Sequence, residues 1–132
     1  MADTMQFDLV SPERRLASLE AQQVQLPGAD GQMTAMPNHA PVITSLRPGL
    51  VTVTGTDGQA TSYAVTGGFA EISPEGATVL AERAYQATAE NRAEIETYLA
   101  EARAAAEKAA PEHKDAAELV VADLAQLMDD MV

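Results

Sequence analysis

Hydrophobic and polar positions alternate with a period of two through the first part of the chain. Met5, Phe7 and Leu9 are separated by polar residues, and Leu16–Leu26 contains two further short segments of this kind. In Val51–Thr54 the valines alternate with threonines. Because successive side chains of a strand point to opposite faces of its sheet, this pattern predicts half-buried β-strands.

Turn signals separate these segments at intervals of roughly 8 to 12 residues. The Asp-Gly pair at positions 57–58 suits positive φ in a two-residue hairpin turn. Ser73–Gly76 places proline at the second position of a type I turn, so we expect Val79 and Ala81 to pair back on Phe69–Ile72. No helical period lies between these turns, which favours an antiparallel β-sandwich over a parallel sheet.

From about Thr88 the apolar spacing becomes that of helices. One stripe comprises Ile95, Tyr98, Leu99, Ala102, Ala106 and Ala109, and a second comprises Ala116, Leu119, Val120, Leu124, Leu127, Met128 and Met131. Thr88 is a suitable N-cap for a first helix of about 23 residues, and Pro111 ends it or lies in the first turn of the next. The pattern predicts an antiparallel two-helix hairpin. Its alanine-rich seam buries little surface, so it needs support from another part of the molecule.

This change of pattern predicts two domains. Residues 1–86 are expected to form an all-β, antiparallel β-sandwich domain, and residues 87–132 a C-terminal helical hairpin domain. The fold class is therefore α+β, with the β and α parts segregated along the chain.

Composition narrows the class of protein. The 132 residues are 46% hydrophobic, but no apolar run approaches the roughly 20 residues of a membrane-spanning helix. Met1–Phe7 lacks the basic stretch and apolar core of a secretory signal, which indicates a cytoplasmic protein. Without any cysteine, disulfides, thiolate nucleophiles and cysteine-ligated metals are excluded.

The charge is strongly acidic. The 20 acidic residues against 8 basic ones give a net charge of −12, to which the predicted hairpin contributes more than the sandwich. Such a surface repels phosphate backbones, so we expect neither nucleic acid nor anionic lipid as a direct partner. Two readings of the charge stay open: a solvated surface, or a surface that meets a basic protein.

No residue pattern indicates catalysis. His39 and His113 are far apart in sequence and belong to no metal-binding motif, and neither lysine lies in a phosphate-binding loop. No serine nucleophile motif is present. His113 is expected in a solvated inter-helix turn, whereas His39 is either a loop histidine bonded to nearby backbone or a partner contact. We therefore predict an interaction protein with no catalytic residue, metal site or cofactor.

Three segments carry a family resemblance. Leu26–Gly49 contains a Pro-Gly turn, a PNHAP core and a closing Pro-Gly; it is followed by GGFAEI at Gly67–Ile72 and TVLAERA at Thr78–Ala84. In this order the chain resembles the epsilon subunits of bacterial F-type ATP synthases. The resemblance implies a non-catalytic rotor subunit of the central stalk, bound to the gamma subunit and the c-ring, which couples proton flow to ATP synthesis on other subunits. It also implies a peripheral location on the cytoplasmic face of the inner membrane.

The resemblance carries over to particular residues. The end that faces the c-ring is expected to include Ala29, Asp30, Gly31, Gln32 and His39. Gln32 stands where many relatives have an acid, so a charge pair is assigned only to Asp30. Packing on gamma is assigned to Gly67, Gly68 and Phe69, for which internal packing between strands is the other explanation.

An alternative function concerns the hairpin, which in some relatives inhibits ATP hydrolysis through contacts with the alpha and beta subunits and in some binds ATP. In Thr88–Ala93 only Arg92 and Ala93 match the relatives' nucleotide motif, so Arg92 is the single candidate residue for nucleotide binding. Leu119–Val132 holds three acids and no base. Inhibition in relatives depends partly on basic groups of the hairpin, so we expect this hairpin to inhibit ATP hydrolysis weakly or not at all.

Overall fold

The computed structural model describes residues 3–131, so residues 1, 2 and 132 of the two predicted domains lie outside the described part. The described residues form a nine-stranded β-sandwich followed by two helices, which confirms the predicted fold class. The elements are β1 (Met5–Val10), β2 (Arg15–Gly28), β3 (Gly31–Ala35), β4 (Val42–Leu46), β5 (Gly49–Gly55), β6 (Ala60–Val65), β7 (Gly68–Ser73), β8 (Gly76–Ala81), β9 (Ala84–Gln86), α1 (Ala89–Lys108) and α2 (Pro111–Asp130).

The strands run in the order β1-β8-β7-β4-β2-β5-β6-β9, and β3 pairs with β2. Strand β1 also pairs with β2, so the first strand lies between β2 and β8. The β1–β8 pair is parallel and the other pairs are antiparallel. At that junction an added Cβ on Gly76 would lie 2.3 Å from the Gln6 carbonyl oxygen. A glycine at this position therefore lets β1 approach β8 closely.

The β-sandwich encloses an apolar core. It includes Met5, Phe7, Leu9, Val24, Leu26, Val51, Val53, Val65, Ile72 and Val79, all of which are fully buried. These side chains occupy alternate positions of their strands, as the period of two predicted.

Three details of the sandwich differ from the prediction. Leu16–Leu26 is one long strand rather than two segments; it pairs with β1 through its first half and with β3 through its second. The β5–β6 loop has four residues rather than two, because Gly55 N donates to Gln59 O and Asp57 accepts a hydrogen bond from Gln59 N. Only the glycine of the Asp-Gly pair has a positive φ.

The β7–β8 turn lies at the predicted residues, because Ser73 lies opposite Gly76 with Pro74 and Glu75 between them. Val79 pairs with Ala70 inside the expected segment. Ala81 pairs with Gly68, one residue before that segment begins.

The helices begin and end close to the predicted positions. Thr88 is the N-cap of α1, its side chain accepting a hydrogen bond from Asn91 N. The helix has 20 residues and ends earlier than predicted, because Ala109 and Ala110 are extended. A residue before proline is disfavoured in a helix, and Pro111 is the first residue of α2. The prediction for His113 is wrong in detail, since it lies in the first turn of α2.

The helical hairpin packs against the outer face of β5, β6 and β9. Ile95, Leu99, Leu124, Leu127, Met128 and Met131 form a second apolar cluster with Ala64, Leu50, Tyr85 and Ala87 of the sandwich and its exit segment. The apolar stripe predicted for α2 is not buried in the N-terminal half of that helix, where Ala116 and Leu119 are exposed. Neither helix within residues 3–131 is both long enough and apolar enough to cross a membrane.

Candidate interaction surfaces

The turn that joins β2 and β3 presents the predicted ring-facing residues. Gly28 pairs with Gly31, so Ala29 and Asp30 form the tip, and both are exposed. Gly31 has a φ of +135°, which favours glycine there. Ala29 N donates to Ser45 O at 2.9 Å and so ties the turn to β4. The sequence therefore holds Asp30 at the surface in a defined position.

Gln32 and His39 belong to the segment that follows this turn. Gln32 is exposed on β3. His39 is half-buried in the β3–β4 loop, where its Nδ1 is 2.6 Å from the Ala40 carbonyl oxygen and its backbone N donates to Met36 O. His39 is therefore a loop histidine bonded to nearby backbone, which is one of the two alternatives predicted for it.

The predicted ring-facing residues are anchored at two points of β4. Ala29 is bonded to Ser45, whereas the loop that holds His39 leads into Val42. Ser45 and Val42 are three positions apart along the strand, which is about 10 Å. No hydrogen bond within residues 3–131 joins the side chains of Asp30 and His39.

The glycine pair at the start of β7, Gly67 and Gly68, is explained by close packing between strands. An added Cβ on Gly68 would lie 2.1 Å from Leu80 O and 2.9 Å from Ala81 Cα. Gly67 and Gly68 have φ values of +135° and +139°. Gly67 is buried and Gly68 half-buried, and Glu82 N donates to Gly67 O. Both glycines serve the fold of the sandwich.

Phe69 behaves differently, because it points outward and 56% of its surface is exposed. It lies opposite Leu80 of β8, which is 52% exposed, and opposite Ser45 of β4. Ile43, two residues before Ser45, is 72% exposed. We call Ile43, Phe69 and Leu80 the outer apolar face. Sequence reasoning missed Ile43 and Leu80, although the alternation of β4 and β8 carries the signal once one buried residue of each is known.

Arg92, the candidate for nucleotide binding, is half-buried near the start of α1. Its Nε donates to the carbonyl oxygen of Met128 at 3.3 Å, near the C-terminus of α2. The C-cap Met131 N also donates to this carbonyl, and the added bond from Arg92 joins the start of α1 to the end of α2. A phosphate group would have to use the remaining guanidinium nitrogens.

An ion pair that the sequence did not predict joins the hairpin to the sandwich. Arg47, between β4 and β5, donates from Nε to Asp123 Oδ2 at 3.0 Å and from Nη2 to Asp123 Oδ1 at 2.5 Å. The hydrogen bond that Arg47 donates to Asp123, together with the negative charge of Asp123, raises the pKa of Arg47 above its usual range. A second contact involves α1. The guanidinium of Arg83, which lies between β8 and β9, is 4.9 Å from the ring centre of Tyr98 on that helix.

Burial raises the pKa of Tyr63, whose side chain lies in the sandwich core. Within the described residues, no group of three or more histidine, aspartate or glutamate side chains is placed to hold a metal ion.

Comparison with known proteins gives one family. Residues 4–87 match the ATP synthase delta/epsilon chain beta-sandwich domain. An ATP synthase epsilon chain of Paracoccus denitrificans is 54% identical, covering 99% of this chain and 88% of the relative. The epsilon chain of Rhodobacter capsulatus is 58% identical and covers 96% of each. In a cryo-EM structure of Euglena gracilis mitochondrial ATP synthase with its F1 and c-ring, one chain superposes with a TM-score of 0.75 at 17% identity, over 98% of this chain and 82% of that one. At that identity the superposition shows the fold alone.

Proposed function

Because the chain belongs to the ATP synthase epsilon chain family, we propose that it is a non-catalytic rotor subunit of a bacterial F-type ATP synthase. In this role it binds the gamma subunit and the c-ring at the cytoplasmic face of the inner membrane and couples proton flow to ATP synthesis on other subunits. The identity of more than half of all residues to named epsilon chains, over nearly the whole chain, supports this proposal.

The outer apolar face supplies the surface for gamma. Ile43, Phe69 and Leu80 are each more than half exposed, and they lie on neighbouring strands β4, β7 and β8. The hairpin covers β5, β6 and β9 instead, so neither helix of residues 3–131 lies on this face. Large apolar side chains that are grouped on a surface mark protein interfaces, and aromatic ones often dominate the binding energy.

Phe69→Glu is expected to weaken binding to the gamma subunit at least about tenfold, because a charged side chain would be buried at the contact. The measurement is a titration of this chain into purified gamma. Gln59→Glu, in the exposed β5–β6 loop, is the control with the same added charge. Thermal unfolding should be unchanged, since Phe69 is not part of the core. Gamma binding of the Phe69 variant at the level of the control would refute the placement of gamma on this face.

The β2–β3 turn is proposed to contact a basic loop of the c-ring through Asp30, with Ala29, Gly31, Gln32 and His39 nearby. An exposed charge at the rim of an interface acts mainly on the rate and salt dependence of association. Asp30→Lys should therefore weaken assembly on the ring by about two- to fivefold. The readout is ATP-driven proton pumping of reconstituted complexes at limiting amounts of this chain. Asp57→Lys, at the tip of the β5–β6 loop, is the control, and equal pumping by the two variants would exclude Asp30 from the ring contact.

The nucleotide-binding role of Arg92, and with it the alternative of a nucleotide-responsive inhibitor, stays a prediction. The engagement of Arg92 by Met128 O gives it no added support.

A further inference from the structure

The sandwich and the hairpin are both acidic. Residues 1–86 carry 9 acids and 4 bases, and residues 87–132 carry 11 acids and 4 bases. Two bodies with the same sign of charge repel each other, so the docked arrangement needs specific attraction. The sandwich has only four basic side chains, all arginines, and two of them, Arg47 and Arg83, contact the hairpin.

Apolar contact with the sandwich is limited to one half of the hairpin. On α2 the buried side chains begin at Leu124, and the residues of the first half are exposed or half-buried. On α1 only Ile95, Leu99 and Ala106 are buried. In the far half the helices meet mainly through alanines, which remove little surface from water. Docking therefore depends on a small contact area, and single polar contacts carry weight there.

Contacts within the sandwich fix the backbone of Arg47. Its backbone N donates to Pro27 O at 2.9 Å, and Pro48 follows it. Asp123, on α2, has only 13% of its side chain exposed, whereas Arg47 has 38%. Asp130, a second acid, lines the same cleft. A two-bonded arginine–carboxylate pair is strong and directional, and loss of the arginine would leave a largely buried carboxylate unpaired.

We propose that the Arg47–Asp123 pair is a latch that holds the helical hairpin docked on the sandwich. The latch sets the equilibrium between the docked hairpin and an undocked one in which the sandwich stays folded. Arg83 on Tyr98 assists on the other helix. This inference stands on the contacts within the chain and does not depend on the proposed place in a rotor.

The absence of cysteine allows a direct test on the full-length chain. Ala64 is fully buried beneath the hairpin, on the opposite side of β6 from the core residues Tyr63 and Val65. Ala64→Cys thus places a single thiol where undocking exposes it, and its modification rate reports the undocked population. Ala35→Cys, fully buried in the sandwich core, reports unfolding of the sandwich in parallel.

Arg47→Gln is expected to raise the modification rate of the thiol at position 64 by about five- to twentyfold. Asp123→Asn should raise it less, because the arginine left behind is more exposed than the carboxylate. The exchanged pair Arg47→Glu with Asp123→Arg should return the rate to within about threefold of the parent. Arg14→Gln, which removes the same charge from an exposed position of the sandwich, should change nothing.

Three results would overturn the latch. The first is a rate for Arg47→Gln within about twofold of the parent, since a pair of this kind would then contribute no more than an ordinary surface ion pair. The second is an equal rise at positions 64 and 35, which would mean that the pair stabilises the whole fold. The third is an exchanged pair as reactive as Arg47→Gln, which would mean that charge attraction is not what holds the hairpin.

Discussion

Gly68→Ala is expected to lower the free energy of unfolding by more than about 4 kcal/mol, a large share of the roughly 5 to 15 kcal/mol that stabilises a typical protein. The added methyl group would lie 2.1 Å from Leu80 O and 2.9 Å from Ala81 Cα, both parts of the backbone of β8. Backbone cannot move aside as a flexible side chain can, so β7 and β8 would have to separate. The measurement is urea unfolding followed by circular dichroism.

Gly31→Ala is the matched control for this substitution. Gly31 has a φ of +135°, close to the +139° of Gly68, but an added Cβ there would meet nothing within 4 Å. The control carries the backbone strain alone, which costs about 1 to 3 kcal/mol. Equal destabilisation by the two variants would show that strain, and not the close approach of the strands, accounts for the glycine at position 68.

Leu124→Ala should destabilise docking of the hairpin by about 3 kcal/mol, within the range of roughly 2 to 5 found for buried leucines. Leu124 is fully buried in the cluster between the hairpin and the sandwich. We expect amide exchange in α1 and α2 to accelerate by about a hundredfold, a factor of ten for each 1.4 kcal/mol. Exchange in the core strands β1 and β5 should stay close to that of the parent.

Leu119→Ala serves as the control on the same helix, because Leu119 is 50% exposed and its loss should cost less than about 1 kcal/mol. The pair of variants also tests our proposal that residues 1–86 and 87–132 are separate domains. If Leu124→Ala accelerates exchange in the core strands as much as in the helices, the chain unfolds as one unit and the two-domain proposal is wrong.

Much of the fold was predictable because local patterns and tertiary structure agree. The alternation at Met5, Phe7 and Leu9 predicted β1, and the helical spacing around Leu99 and Leu124 predicted the hairpin. The predictions were wrong where pairing between distant strands determines the length of a strand or loop. Nothing local shows that β2 continues unbroken while changing partners from β1 to β3, or that the β5–β6 loop takes two more residues to close.

The surfaces were predictable only in part, for a similar reason. Phe69 was named from a motif, but its exposure beside Leu80 and Ile43 requires the register of three strands. The Arg47–Asp123 pair joins residues 76 positions apart. Charged residues on a surface follow no period that identifies their partner, and an acidic chain offers each arginine many carboxylates. Only the docked geometry selects Asp123.

The position of β1 between β2 and β8 determines how early the sandwich can close during synthesis on the ribosome. Val10 pairs with Leu80, so one side of the first strand waits for a partner that is made 70 residues later. At a synthesis rate of about 5 to 20 residues per second, this delay is roughly 4 to 14 s. Throughout that time an apolar β1–β2 hairpin has an open edge, which is a template for pairing with other nascent chains. Closure of the sandwich is therefore a late event of translation, and slower translation lengthens the period in which the chain can aggregate.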